Sequence, residues 1–149
     1  MAFNKDYMRL ALKQAEKAYD HKEVPVGCVI VQNDNVISQA HNLVQTHRNP
    51  TFHAEMLAIN KACEFLDSKN LADCDLYVTL EPCTMCVSAI ANARVKRLYY
   101  SVSDDKQGAV ENGVQFFSSS SCFHKPEIYS EIMHEESRVL LQKFFRNLR

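Results

Sequence analysis

A length of 149 residues fits one ordinary domain and is enough to bury a single good core. Hydrophobic residues at 46% and charged residues at 23% are the balance of a soluble globular chain. A formal net charge of −1 excludes overall attraction to nucleic acid, so any such partner must be met by a local patch.

In chain order, the opening Met1-Ala2-Phe3-Asn4-Lys5-Asp6 lacks the apolar core of a signal peptide, and no apolar run approaches the roughly 20 residues of a membrane span. Six cysteines without an export signal are therefore expected as reduced thiols in the cytoplasm. Asn4 can cap a first helix, with Asp6 in its opening turn and Tyr7, Leu10, Ala11, Ala18 and Tyr19 at helical spacing. Val24 to Val31 is a nearly unbroken apolar run, the pattern of a strand covered on both faces. Gln32-Asn33-Asp34-Asn35 reads as a turn and Val36 to Ala40 as the antiparallel return strand. Asn49-Pro50 stops the following loop. From about Thr51 the period is helical, with Phe52, Met56, Ile59, Cys63 and Leu66 on one stripe.

Leu76 to Leu80 is predicted as a third strand and Thr84 to about Asn92 as a second crossover helix. A fourth strand is expected over Val95 to Val102, with Lys96 and Arg97 at its exposed start. Residues 103–121 are polar and small, a loop with at most one short helical turn. Pro126 to Met133 can form a short edge strand. Val139, Leu140, Leu141, Phe144, Phe145 and Leu148 give the last helix its apolar face. This order predicts one α/β domain over residues 1–149, a three-layer α/β/α sandwich around a mixed, mostly five-stranded sheet. Strand-helix-strand units from residue 51 onward imply parallel strands joined by right-handed crossovers.

Two motifs carry chemistry, His53-Ala54-Glu55 and Pro82-Cys83-Thr84-Met85-Cys86. A structural zinc site is normally closed by four protein ligands, whereas a catalytic one uses three and leaves a position for water. His53, Cys83 and Cys86 make three, for one Zn²⁺ per chain. Glu55 lies close enough to reach a coordinated water without being needed as a ligand, and can move its proton. His53 and the Cys pair each open a predicted helix, whose N-terminus favours thiolate charge. Helices starting at the same sheet edge would bring the ligands together. Alternatives stay open at this point. Cys83 and Cys86 alone could be a thioredoxin-like redox pair, and Cys28, Cys63, Cys74, His41 or His47 could close a structural site.

The chain resembles the bacterial tRNA-specific adenosine deaminases (the TadA type) of the cytidine/deoxycytidylate deaminase superfamily, over nearly its whole length. Asn49 to Glu55 and Leu76 to Cys86 follow that family's two metal motifs, and Val24-Pro25-Val26-Gly27 resembles its first strand. Asp104-Asp105-Lys106-Gln107-Gly108-Ala109 resembles its substrate loop, and Phe144-Phe145-Arg146-Asn147-Leu148-Arg149 its basic ending. The resemblance implies a cytidine deaminase-like fold, a homodimer, and a tRNA anticodon stem-loop whose wobble adenosine becomes inosine. It also implies Glu55 as the proton carrier. Asn42, Ala54 and Pro82 would hold the base, Asp104 and Lys106 the RNA at the loop, and Phe144 or Phe145 with Arg146 and Arg149 the RNA at the C-terminal end. One departure is Glu111-Asn112, where a small Gly-Ser step is common. A deaminase of free guanine, cytosine or a pyrimidine nucleotide would use the same metal motif. A zinc-stabilised binding module would have no use for Glu55.

Overall fold

The computed structural model describes residues 4–148, so Met1-Ala2-Phe3 and Arg149 lie outside the described residues. Helix α1, Lys5–Asp20, begins where the Asn4 side chain accepts from the Asp6 amide at 2.9 Å. Its buried face is small, with Ala11, Ala15 and Ala18 beside Met8. Strand β1, Gly27–Gln32, lies directly beneath it. A Cβ on Gly27 would stand 1.9 Å from the Ala11 carbonyl oxygen, so only glycine permits this approach.

Strand β1 turns back into β2, Asn35–His41, through Asn33 and Asp34, whose φ of 49° and 64° are the left-handed pair that a tight hairpin requires. Helix α2 (Val44–His47), helix α3 (Ala54–Leu66) and strand β3 (Cys74–Leu80) follow. Next come α4 (Thr84–Ala93), β4 (Arg97–Val102), a 3-10 turn at Phe116–Ser118, β5 (Glu127–Tyr129) and α5 (His134–Asn147). The sheet order is β2-β1-β3-β4-β5, antiparallel on both sides of β1 and parallel from β3 to β5. Alternation along β1 separates two cores. Cys28 and Ile30 face α3 and α4, whereas Val29 and Val31 join Met8, Ala11, Tyr77 and Tyr99 on the α1 side. Helix α5 meets α1 on that second face, where Phe144 packs edge-on to Tyr19. The expected three-layer α/β/α sandwich around a mixed five-stranded sheet is the observed fold.

Several local expectations are corrected. Strand β1 starts at Gly27, not Val24, because Pro25 has no amide hydrogen for a ladder. Val24-Pro25-Val26 instead form a tight turn, the Val26 amide donating to the Val24 carbonyl at 2.8 Å. Helix α2 lies in what reads as loop; four residues carry too little periodicity to be recognised. The stripe α3 buries is Ala54, Ala58, Ile59 and Ala62, since small residues let the helix lie close to the sheet, and Met56 and Cys63 are only partly covered. Lys96 is exposed as expected, but Arg97 is buried and paired with Asp75 at 3.6 Å. Helix α5 buries Ser137, Leu141 and Phe144, leaving Val139, Phe145 and Leu148 exposed. Ser137 donates to the Thr79 carbonyl at 2.6 Å and so rotates the helix away from the purely apolar face.

Candidate active site

Parallel strands end at one edge of the sheet, and the following segments gather there. His53 is the residue before α3 and Cys83 the residue before α4, both in extended backbone and neither spending its side chain on a helix cap. The first amide of α3, that of Ala54, is satisfied from elsewhere, by Asn42 Oδ1 at 2.8 Å. His53 is thereby left free for another task. Its Nδ1 lies 3.6 Å from the sulfur of Cys83 and 3.6 Å from that of Cys86. Ligand atoms from all three lie within 4.8 Å of one another, and no other such cluster occurs among the described residues. Cys28, Cys63, Cys74, His41 and His47 do not join it. The site offers three protein ligands rather than a closed set of four.

Charge at the pair argues for a cation. A hydrogen bond from the Cys86 thiol, with help from His53, lowers the Cys83 thiol to about 4 despite burial. Cys86 is pushed the other way, by its hydrogen bond to Cys83 and by burial, with the charges of Glu55 and Cys83 adding to both. One negative charge is therefore easily held and the second is not. A divalent ion between the sulfurs would remove that penalty, with loss of a proton. The donor set of one imidazole and two thiolates suits zinc.

A pocket of about 200 Å³ opens beside these ligands, lined by Val24, Val26, Asn42, His53, Leu80 and Cys83 among others. Four carboxylates also line it, in Glu23, Glu55, Glu81 and Asp104. Three of them are occupied by amides. Glu23 accepts from the Gln45 and Thr46 amides at 3.1 and 2.6 Å and from the Thr46 hydroxyl at 2.6 Å, which anchors α2 as one wall. Asp104 accepts from the Lys106 and Gln107 amides at 3.0 and 3.1 Å. Glu81 gathers donors from residues 103–112, which form the opposite wall. For Glu23 and Glu81 burial opposes ionisation, yet these hydrogen bonds outweigh it and hold both carboxyls below their ordinary range. Glu55 differs. It is 4% exposed, and burial raises its carboxyl to about 7, the range in which one group can both take and give a proton.

Among the expected substrate contacts, Asn42 and Asp104 line the pocket, and Ala54 and Pro82 stand beside the ligands. Lys106 does not line it, whereas Gln107, not anticipated, does. Phe144 is buried against Tyr19; its neighbour Phe145 is exposed and shares a separate concavity with Val102, Arg138 and Arg146. The structural roles of Glu23 and Glu81 were not legible either. A carboxylate that collects amides distant in sequence has no local pattern; the only hint is an acid set against Val24-Pro25 or Pro82-Cys83. Glu111 accepts from the Tyr100 hydroxyl, and Asn112 turns its amide to Glu81, so both departures from the family pattern serve the loop's own structure.

A sandwich with this sheet order, a His-Cys-Cys cluster gathered at two helix starts and an adjacent buried carboxylate defines the class of metal-dependent nucleobase deaminases. The sequence model of the cytidine and deoxycytidylate deaminase zinc-binding region matches residues 1–102. A tRNA-specific adenosine deaminase of Rickettsia typhi is 55% identical over 144 residues, covering 95% of this chain and 97% of the relative. A solved structure from studies of A-to-I editing by tRNA:A34 deaminases superimposes with a TM-score of 0.91. It is 46% identical and covers 93% of this chain and 100% of its own. A guanine deaminase structure from Bacillus subtilis is more distant, with a TM-score of 0.65 and 30% identity over 80% of this chain and 87% of its own. The chain belongs to the tRNA-specific adenosine deaminases of the cytidine and deoxycytidylate deaminase family.

Proposed function

We propose that the protein hydrolytically deaminates the wobble adenosine, position 34, of a tRNA anticodon loop to inosine, as a single deaminase domain with one Zn²⁺. The observation that carries this is a three-ligand centre, His53, Cys83 and Cys86, beside a buried carboxylate that is not a ligand. Zinc held there would lower the pKa of a bound water toward about 7 and supply a nucleophile at neutral pH. Glu55 is placed to take one proton from the water as its oxygen adds to C6 and give it to the ring nitrogen, and then to carry the second proton, from the new C6 hydroxyl, to the departing amine. The C6–N bond breaks, ammonia leaves and the C6 carbonyl of inosine remains. Asn42 Oδ1 is committed to Ala54, so Asn42 fixes the wall of the pocket while its remaining amide group can serve the nucleotide.

An anticodon loop offers an unpaired base that is cheap to extrude, together with flanking bases and phosphates. Asp104, Lys106 and Gln107 supply polar groups at the loop, and Arg146 with Phe145 supplies charge and an exposed ring on α5. A homodimer is the assembly we assign. Phe65, Val114 and Phe123 are 69%, 60% and 90% exposed, and the mass in solution tests the assembly. We place the protein in the cytoplasm, whose reducing conditions suit six free cysteines; no described helix is long and apolar enough to cross a membrane.

The deciding experiment incubates zinc-loaded protein with total tRNA, scores inosine at the wobble position, and runs free bases and nucleosides in parallel. Inosine in tRNA with little turnover of free adenosine is the expected result. Efficient deamination of free guanine or cytosine with no inosine in any tRNA would overturn it.

A further inference from the structure

The loop that forms one wall of the pocket, residues 103–112, has no helix or strand of its own, yet it is closely held. What holds it is one side chain. Glu81 is 3% exposed and its two carboxylate oxygens collect six donors. Oε1 accepts from the Asp104 amide at 2.9 Å, the Asn112 side-chain amide at 2.7 Å and the Ser103 hydroxyl at 3.4 Å. Oε2 accepts from the amides of Val110, Glu111 and Asn112 at 2.9, 3.0 and 3.1 Å. Both ends of the loop are thus drawn to a single residue.

The middle of the loop closes over the same carboxylate. A Cβ on Gly108 would lie 2.4 Å from the Glu81 carboxyl carbon and 2.4 Å from the Asp104 carbonyl oxygen, so only glycine passes there. Beside it, the Ala109 amide donates to the Pro82 carbonyl at 2.9 Å, and Gly108 bridges to Cys83. Glu81 is therefore joined by the chain itself to a metal ligand on one side, and by hydrogen bonds to Asp104 and its neighbours on the other. We propose that Glu81 is a positioning residue that sets the substrate loop at a fixed distance from the metal ligands and thereby governs affinity for the RNA more than the chemical step. This rests on the tRNA reading given above. Asn112 completes the device, because it contributes two of the six donors.

The test compares Glu81→Gln, Asn112→Ala and the double variant with the parent. Hydrogen exchange reports the amides of residues 104 and 110–112. Titration of an anticodon stem-loop in a Glu55→Ala background reports binding, and steady-state deamination with Glu55 intact separates KM from kcat. Zinc content is measured throughout. Hydrogen bonds to a buried charge are strong enough that Glu81→Gln should raise Kd and KM by about tenfold or more. Asn112→Ala should raise them a few-fold, and the double variant by less than the product, as expected of one network. The amides should lose protection while zinc is retained and kcat stays within about threefold. Unchanged KM in folded, zinc-loaded variants would overturn the proposal, as would a fall in kcat alone. If Glu81→Gln does not fold, Asn112→Ala decides by the same criteria. A parent protein that makes no inosine in tRNA sinks the functional reading instead, a result the variants do not influence.

Discussion

Glu23, Glu55 and Glu81 are the same side chain in three surroundings, all on the wall of one pocket. Glu23 and Glu81 are held ionised because several N–H and O–H donors converge on each. Burial dominates at Glu55, lifting its carboxyl to about 7, and its neighbours compensate only in part. The number of donors, rather than exposure, decides which acid is structural and which can exchange a proton near neutrality. Glu55→Ala should keep the fold and its zinc while deamination falls by about 10³-fold or more, since positioned acid-base groups contribute roughly 10² to 10⁴ and this one acts twice. Zinc content and inosine formed per tRNA are the measurements, and activity within a few-fold of the parent would remove Glu55 from the mechanism. X-ray absorption at the zinc edge should find two sulfurs, one imidazole nitrogen and a light non-protein ligand, and a third sulfur would contradict a site built from His53, Cys83 and Cys86 alone.

Helix α2 and the loop over residues 103–112 are the elements least able to form on their own. One has four residues and the other no regular structure, and each is fastened by one buried carboxylate. That has a consequence for acid stability. Both carboxyls titrate below their ordinary value of 4.5 in the folded chain, so near that pH the native state binds fewer protons than the unfolded one. Their contribution is complete above about pH 4.5 and is lost as pH falls through the folded-state values. Thermal unfolding of the protein should therefore show Tm declining from about pH 4.5 downward. Glu23→Gln should lower Tm at neutral pH and make the acid decline shallower. A Glu23→Gln profile parallel to that of the parent would mean that the α2 anchor carries no charge-dependent stability.

Across the whole molecule, a net charge of −1 means that RNA must be attracted locally. Groups placed for this include Lys106 in the loop over residues 103–112 and Arg146 beside exposed Phe145 on α5, where Arg138 is already paired with Glu135. Truncation before Arg146 should weaken binding of an anticodon stem-loop and reduce the slope of affinity against salt, because fewer phosphates are neutralised. Zinc content should not change, as α5 contributes nothing to the His53, Cys83 and Cys86 cluster. Titrations at several salt concentrations check this; an unaltered slope would remove the C-terminal end from the RNA path.

The sequence by itself determined the α/β class and singled out the His53, Cys83 and Cys86 cluster with Glu55 beside it, because each rests on close spacing. His53 and Glu55 share the start of one helix, Cys83 and Cys86 the first turn of another, and apolar runs mark the central strands. Local pattern failed where neighbours along the chain were not the deciding partners. Arg97 reads as an exposed strand end, but its partner Asp75 comes from the adjacent strand. Phe144 and Phe145 are chemically alike, and only the rotation of α5, fixed where Ser137 meets Thr79, sends one into the core and the other to the surface. Glu81 follows the same rule, since five of its six donors lie 23 to 31 positions away and the sixth lies 22 away. Chemistry that depends on a short stretch of chain is written in the sequence; placement by distant hydrogen bonds and packing exists only after the chain has folded.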